Sequence, residues 1–588
     1  MITSFCSLIF LGLFMPAAAL AYAVMPRRAR PPLLLLASFA CFWLISGKLL
    51  VLLVVCTLVT YGAGLGLGVV RTRTRAAVAS GALTRREAKA RSRTQMRLVV
   101  AAAVLVNLGI LVAVKYLGFL SEITQGLLGL VGIESTLVPP AIGMPIGISF
   151  YTLQAISYLI DIYRGTISPE RNLLKLALFM SFFPQLMEGP ICRYADMAPQ
   201  LSAGAPVTAT HVTSGALRIA WGTAKILIVA DRVNLFVKPV FEHPEQWGGT
   251  VIAMGAVLYT LQLYCDFSGT MDIVLGCGRI FGIQLPENFR QPFFSRTASE
   301  FWQRWHITLG AWLRDYVFYP VSLSRPVKRF ARVAREHLGT RTGSVLSGGV
   351  ALFAVWLANG LWHGAGWQYI AFGMYYFVII LASGLLEPVF ARLRNTLHIK
   401  PSSRPWIVLC VLRTWCIVFV GELIFRANGL RAGIRMLSTL VTDFSPAALV
   451  NGSLLAPGMD HADFAVVGIF VVLLFAVSLR RERAEAKAPE DAPATTEPQG
   501  NSTRVATNAS NGPAHNTPQT TCATGTPTSA AAPGYAVAST SPASPAEPLA
   551  SHALTLRVAG VLALVLCIVV FGAYGSGYIP LDPIYAKF

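Results

Sequence analysis

Residues 356–367 read Trp-Leu-Ala-Asn-Gly-Leu-Trp-His-Gly-Ala-Gly-Trp, so His363 stands near the end of an apolar run long enough to cross a membrane. An ionisable side chain is costly in hydrocarbon and marks a functional site by default. Of nine histidines, one other has similar surroundings: His306, in Phe301-Trp302-Gln303-Arg304-Trp305-His306. Burial disfavours the charged imidazole, so such a histidine is neutral and able to accept a proton. Asn359 lies four residues before His363 on the same helix face, where an amide can bond one ring nitrogen and fix the tautomer. A base of this kind contributes about 10²–10⁴-fold to a rate. The competing account is a structural ring satisfied by a backbone carbonyl of a neighbouring helix. No Gly-x-Ser-x-Gly elbow, His-Glu-x-x-His or Cys–His nucleophile pattern is present. That inventory fits a neutral histidine activating a hydroxyl toward an activated acyl group.

Other polar residues interrupt apolar sequence. Residues 299–319 predict one amphipathic helix near the interface, starting at Ser299-Glu300, with aromatic residues suited to that depth. Arg304 and His306, beside Trp305, and Arg314-Asp315 look like an internal polar network, with an interfacial scaffold as the alternative for the stretch. Tyr264-Cys-Asp-Phe-Ser-Gly269 places Asp266 and a helix break in a further apolar run. Asp272 follows, with Arg279 or Arg304 available as partner; a structural ion pair explains these acids as well as catalysis does. Residues 139–147 and 183–190 carry prolines and glycines near Gln154, Gln185, Glu188 and Arg193. They suggest re-entrant backbone around a cavity, with ordinary loops as the simpler account.

The elements that must position these residues are membrane helices. Of 588 residues, 54% are hydrophobic and 13% charged, and the mean hydropathy is +0.58. Runs 98–117, 345–361 and 558–570 approach or exceed the ~18–20 apolar residues that span a bilayer. They are continuous, not alternating, which excludes a β-barrel. The chain reads as an all-α polytopic integral membrane protein. Its formal charge of +20 marks cytoplasmic loops, not nucleic-acid binding, because the basic residues fall between spans. Ten cysteines are scattered without Cys-x-x-Cys or Cys/His clusters, so no metal site or disulfide framework is expected.

Basic loops at 27–30, 71–97, 325–341 and 392–404 set the topology. Residues 32–70 are expected to form a hairpin turning at Ser46-Gly47-Lys48. Residues 345–386 are expected to form a second hairpin or a re-entrant pair, turning at Gly364-Ala365-Gly366, directly after His363. Gly62, Gly64, Gly66 and Gly68 read as a helix-packing stripe. The transmembrane core is expected to cover 1–480. A disordered Ala/Pro/Ser/Thr-rich cytoplasmic linker covers 481–555. A last span and an extracytoplasmic aromatic tail occupy 556–588, with the N-terminus also outside.

Several blocks carry a resemblance. They are Pro145-Ile-Gly-Ile-Ser-Phe-Tyr-Thr-Leu-Gln-Ala-Ile-Ser-Tyr-Leu-Ile-Asp161, Phe183-Pro-Gln-Leu-Met-Glu-Gly-Pro190 and Leu263-Tyr-Cys-Asp-Phe-Ser-Gly269, followed by Leu285-Pro-Glu-Asn-Phe289, residues 301–319 and Leu361-Trp-His-Gly364. With them the chain resembles the membrane-bound O-acyltransferase superfamily, in particular the bacterial branch of alginate O-acetyltransferases and the D-alanyl transfer protein of teichoic acid modification. The resemblance implies a helical scaffold with re-entrant segments and a central tunnel or funnel, in about 11–13 spans. It implies acyl transfer from acyl-CoA, notably acetyl-CoA, or an acyl-carrier thioester to an extracellular or cell-envelope polysaccharide. It marks His363 as catalytic and His306 as its partner; Asn359, Trp362, Arg304, Trp305, Asp266, Gln154, Arg314 and Asp315 are the candidate supporting or tunnel-lining residues. Its implied partners are membrane lipid, the donor, and an acceptor glycan or separate extracytoplasmic transferase. Glu422, Met187-Glu188 and Tyr375-Tyr376 depart from the family's pattern. The ending Pro583-Ile-Tyr-Ala-Lys-Phe588 resembles that of many bacterial members, which suggests Tyr585 as an acyl relay or docking residue; an interfacial anchor is the plainer reading. D-alanyl transfer is the alternative reaction. A transporter or flippase is the alternative of another class, although the internal repeats common in transporters are missing.

Overall fold

The computed structural model describes residues 6–7, 9–133, 143–186, 188–487 and 547–573. Tyr585, Met187 and positions 488–546 of the expected linker lie outside them. A short π-helix (Ile9–Phe14) leads into α1 (Met15–Val24), α2 (Arg30–Ser46) and α3 (Leu50–Ala79). Then come α4 (Arg85–Lys115), α5 (Leu117–Leu130), α6 (Ile148–Arg164), α7 (Leu173–Ser181), α8 (Phe183–Leu186) and α9 (Tyr194–Ala203). The centre holds α10 (Ala209–Ala224), α11 (Asp231–Glu242) and α12 (Gly249–Ile280). The site segment comprises α13 (Ala298–Arg304), α14 (Ile307–Leu313), a π-helix (Arg314–Phe318), α15 (Tyr319–Ser322) and α16 (Arg325–Leu338). The remainder is α17 (Thr340–His363), α18 (Trp367–Thr396), α19 (Arg404–Arg426), α20 (Leu430–Thr442), α21 (His461–Lys487) and α22 (Glu547–Phe571).

Among the described residues, nine helical stretches are long and apolar enough to cross a membrane, Arg30–Ala79 being one of them. That stretch breaks at Gly47 (φ +55°), where the sequence puts its turn, so it comprises α2 and α3. Helix also occupies 481–487 and 547–555, the two margins of the expected linker. The middle of the molecule is α12, buried along most of its 32 residues. It contains no break at Asp266–Gly269, contrary to expectation: Gly269 serves close approach instead. A Cβ there would stand 2.8 Å from Gly222 O on α10. The glycine stripe of α3 packs only in part, Gly64 against Tyr158 and Gly68 against Pro169, while Gly62 faces open space.

Residues 299–319 correct the expected single helix. Thr297, not Ser299, caps α13 by accepting from Glu300 N–H at 3.1 Å. The helix then stops at Trp305. Phe289 and Trp305 form an antiparallel bridge, Arg290 N–H bonds Arg304 O at 2.9 Å, and Ile307 N–H bonds Asn288 O at 3.0 Å. His306 sits within that clamp in the left-handed region (φ +50°, ψ +49°). Tertiary pairing thus overrides a helical pattern.

The second expected turn is as read: α17 ends at His363 and α18 begins at Trp367. The two helices touch at Gly360 and Gly373, where a Cβ would meet Tyr369 O at 2.5 Å and Trp356 O at 2.3 Å. Only glycine allows that approach, which seats the His363 end of α17 against Tyr369 and Phe372.

Candidate active site

The structure brings the two histidines together at Trp362. The His306 ring lies 5.6 Å from the Trp362 ring and the His363 ring 5.0 Å from it. Both are buried, at 2% and 3% exposure. Phe267 of α12 meets His306 at 4.9 Å, and Phe425 of α19 and Phe372 of α18 meet His363 at 5.1 and 5.8 Å. Five elements therefore pack aromatic rings around two imidazoles that are almost sealed from solvent.

The orientation of His306 follows from a chain of forced assignments. Thr308 N–H can only donate, and it lies 3.0 Å from Asn288 Oδ1. Thr308 Oγ1 accepts from Ile191 N–H at 3.0 Å and gives its own proton to Asn288 Oδ1 at 3.0 Å. Asn288 must therefore point its oxygen, not its amine, at this turn. The His306 Nδ1 faces the same oxygen at 3.3 Å, so Nδ1 carries the hydrogen and Nε2 the lone pair. Asn288 lies in the Pro-Glu-Asn-Phe block, but nothing in that block's spacing pointed to His306, eighteen residues on.

The remaining expected site residues divide. Trp305 stacks on Phe301 at 5.3 Å and packs edge-on against Phe289, holding the clamp. Asn359 is buried on α17, and its Oδ1 meets no hydrogen-bond partner among the described residues. Gln154 is buried on α6, whose Leu153 carbonyl accepts from Trp312 of α14 at 3.0 Å. Arg304 turns away to Glu300 and to Glu482 of α21, each at 2.8 Å. Arg314 and Asp315 pair with each other at 3.0 Å, and Asp315 pairs with Arg193 at 3.1 Å. Tyr316, next along, donates to Asp161 at 2.8 Å. These bonds tie α6 to the π-helix, while Arg304, expected in the same network, pairs elsewhere. Asp266 lies near Glu188 and Cys6. Asp272 pairs with Lys225 at 2.6 Å and Arg218 at 2.9 Å, not with Arg279 or Arg304. Two departures noted in the sequence are neighbours: Tyr376 OH lies against Gly421, beside buried Glu422.

Residues 166–335 match the family described as MBOAT, membrane-bound O-acyltransferase family. A probable alginate O-acetylase of Pseudomonas syringae pv. tomato is 32% identical over 403 residues, covering 67% of this chain and 71% of that protein. One from Azotobacter vinelandii is 30% identical over 474 residues, covering 79% and 85%. The chain belongs to the membrane-bound O-acyltransferase family. It is a multi-pass membrane protein and an O-acyltransferase, which implies an acyl donor and sets aside the transporter reading. A teichoic acid D-alanyltransferase of Bacillus subtilis is 28% identical over 290 residues, covering 48% and 69%.

Proposed function

We propose that this O-acyltransferase moves an acetyl group from a cytoplasmic thioester, acetyl-CoA or an acyl-carrier thioester, to hydroxyls of an extracellular or cell-envelope polysaccharide. His363 is the catalytic base. The observation that carries the reading is the buried imidazole pair on Trp362, one ring of which has its tautomer fixed by Asn288. The names of the two O-acetylase relatives support acetyl as the group and a polysaccharide as the acceptor.

Neutral His363 takes the proton of the attacking hydroxyl as its oxygen bonds to the thioester carbonyl carbon. The tetrahedral intermediate expels the thiolate, and the imidazolium returns the proton to that sulfur. Ester and thiol form with no net proton change. His306, with Nε2 as its working nitrogen, is the partner ring at the developing charge. Burial among aromatic rings strengthens both interactions by excluding water. No metal ion is required.

In this reading both termini are extracytoplasmic and residues 481–555 are a cytoplasmic linker. Tyr585 then receives the acyl group transiently or docks a separate extracytoplasmic transferase. D-alanyl transfer to teichoic acid is the second reading, supported by the Bacillus subtilis relative.

The deciding experiment compares cell-envelope glycan esters in wild type, a deletion strain, and the deletion strain carrying His363→Ala or Tyr585→Phe. O-acetyl loss in the deletion and in His363→Ala is expected. Loss in the deletion alone makes His363 structural. D-alanyl loss in place of O-acetyl selects the second reading, and full activity of Tyr585→Phe removes the relay.

A further inference from the structure

The helix that carries His363 is closed in an unusual way. α6 ends at Gly165, a left-handed turn (φ +86°) whose N–H bonds the Asp161 and Ile162 carbonyls at 3.0 Å. α17 ends at Gly364, which is extended (φ −177°, ψ 167°), so the chain does not fold back over the last turn. The last carbonyls of a helix need donors from elsewhere, and at the end of a membrane-spanning helix hydrocarbon supplies none.

The donors come from the end of α4. Lys115 Nζ lies 2.6 Å from Trp362 O and 3.5 Å from His363 O. Tyr116 OH donates to Leu361 O. Three consecutive carbonyls, those of residues 361–363, are thus met by two consecutive side chains almost 250 positions earlier. Nζ also reaches Ser149 Oγ, in the first turn of α6, at 3.4 Å. An ammonium has three donors pointing apart, and here they join α17, α6 and α4 at one point. A cation is also the favoured charge at a helix C-terminus.

We propose that Lys115, assisted by Tyr116, is a positioning residue for the acyl-transfer step, locking the last turn of α17 so that the His363 ring is held in its reactive orientation. The inference rests on the reading of His363 as the base. The capped carbonyls of Trp362 and His363 belong to the peptide units that flank the His363 Cα, so any drift of that turn carries the imidazole with it. A displacement of about 1 Å at a reacting group costs on the order of 10²-fold in rate.

The test uses the full chain expressed in the deletion strain. It reads cell-envelope O-acetyl ester per membrane-embedded copy, and the melting temperature of the solubilised protein. Lys115→Met removes the donors at nearly constant length, Lys115→Arg restores charge and donors, and Tyr116→Phe deletes one hydroxyl. Expected are a fall of about 10²-fold in Lys115→Met, recovery to within about tenfold of wild type in Lys115→Arg, and a fall of about three- to tenfold in Tyr116→Phe. Tyr116→Phe and Lys115→Arg should melt as wild type does. Ester within about twofold of wild type in Lys115→Met, with His363→Ala inactive, overturns the proposal. If Lys115→Met fails to reach the membrane, wild-type ester in Tyr116→Phe, or an embedded but inactive Lys115→Arg, overturns it instead. Full ester in His363→Ala refutes the base reading itself, whatever the Lys115 variants do.

Discussion

Asn288→Leu is the sharpest probe of how the histidine pair is organised. The substitution keeps the side chain's branching and bulk but removes the oxygen on which Thr308 N–H, Thr308 Oγ1 and His306 Nδ1 converge at 3.0, 3.0 and 3.3 Å. The backbone bond from Ile307 N–H to Asn288 O survives, so the clamp around His306 persists. The Thr308 hydroxyl can rotate and the imidazole can change tautomer; the buried Thr308 N–H can do neither. Its lost partner costs about 1–3 kcal/mol of stability. The tautomer preference resting on one hydrogen bond is worth about 0.5–1.5 kcal/mol, roughly a two- to thirteenfold change in the population of the working form. Slack in a left-handed turn of about 1 Å would add up to 10²-fold. Ester per embedded copy should therefore fall by more than about twofold and by up to about 10³-fold, with a modest drop in melting temperature. Asn288→Asp keeps an acceptor facing Nδ1 and should retain far more activity than the leucine variant. Asn288→Leu with at least about half of wild-type ester, or aspartate and leucine variants equally inactive, would refute the tautomer argument.

Asp272→Asn leaves Lys225 and Arg218, at 6% and 16% side-chain exposure, without their shared carboxylate. Breaking a buried pair from one side costs about 3–5 kcal/mol, so the solubilised protein should melt well below wild type; an unchanged midpoint contradicts the pairing. Gly222→Ala drives a Cβ to 2.3 Å from Gly269 O, whereas Gly62→Ala meets nothing within 4 Å. The first should destabilise by about 1–3 kcal/mol and the second should be neutral, and equal melting temperatures would discount the α10–α12 contact. Glu170, in the loop between α6 and α7, is raised by partial burial but lowered more by hydrogen bonds from Asn172 N–H and Tyr194 OH, so its carboxyl titrates below the usual glutamate value of 4.5. A lowered carboxyl stabilises the fold fully above that value and loses its contribution as the pH falls below it; Glu170→Gln should flatten that acid limb of the melting curve, and an unchanged limb would count against it.

What the sequence disclosed follows physical locality. Apolar runs announce spans because the bilayer demands them. Gly364-Ala365-Gly366 announces a turn because glycine is cheap to bend. His363 announces itself because an imidazole is out of place there. The breaks failed where their cause was remote. Nothing within residues 299–309 interrupts a helix; His306 leaves the helical region because Asn288–Arg290 pairs with the chain at Arg304–Ile307. Gly269 failed in the opposite sense. It suggested a break by its own flexibility, yet it is there for the backbone of α10, which no pattern within α12 reveals.

Lys115 shows why charge at the end of a span is ambiguous. A lysine closing an apolar run reads as a topology marker, since a cation is tolerated where hydrocarbon gives way to headgroups. The same position brings an ammonium level with the ends of neighbouring helices, where carbonyls stand without intrahelical donors. In water such carbonyls are satisfied without help. Against hydrocarbon they are not, and a helix whose next residue is extended, as Gly364 is, borrows donors from another helix. A lysine serving that purpose and a lysine marking an interface share one sequence signature. They part in three dimensions, where Nζ either points to open surroundings or, as here, turns inward to Trp362 O at 2.6 Å. The same bond that hides the role from sequence makes it local to His363, which is why its loss should register in transfer and not only in stability.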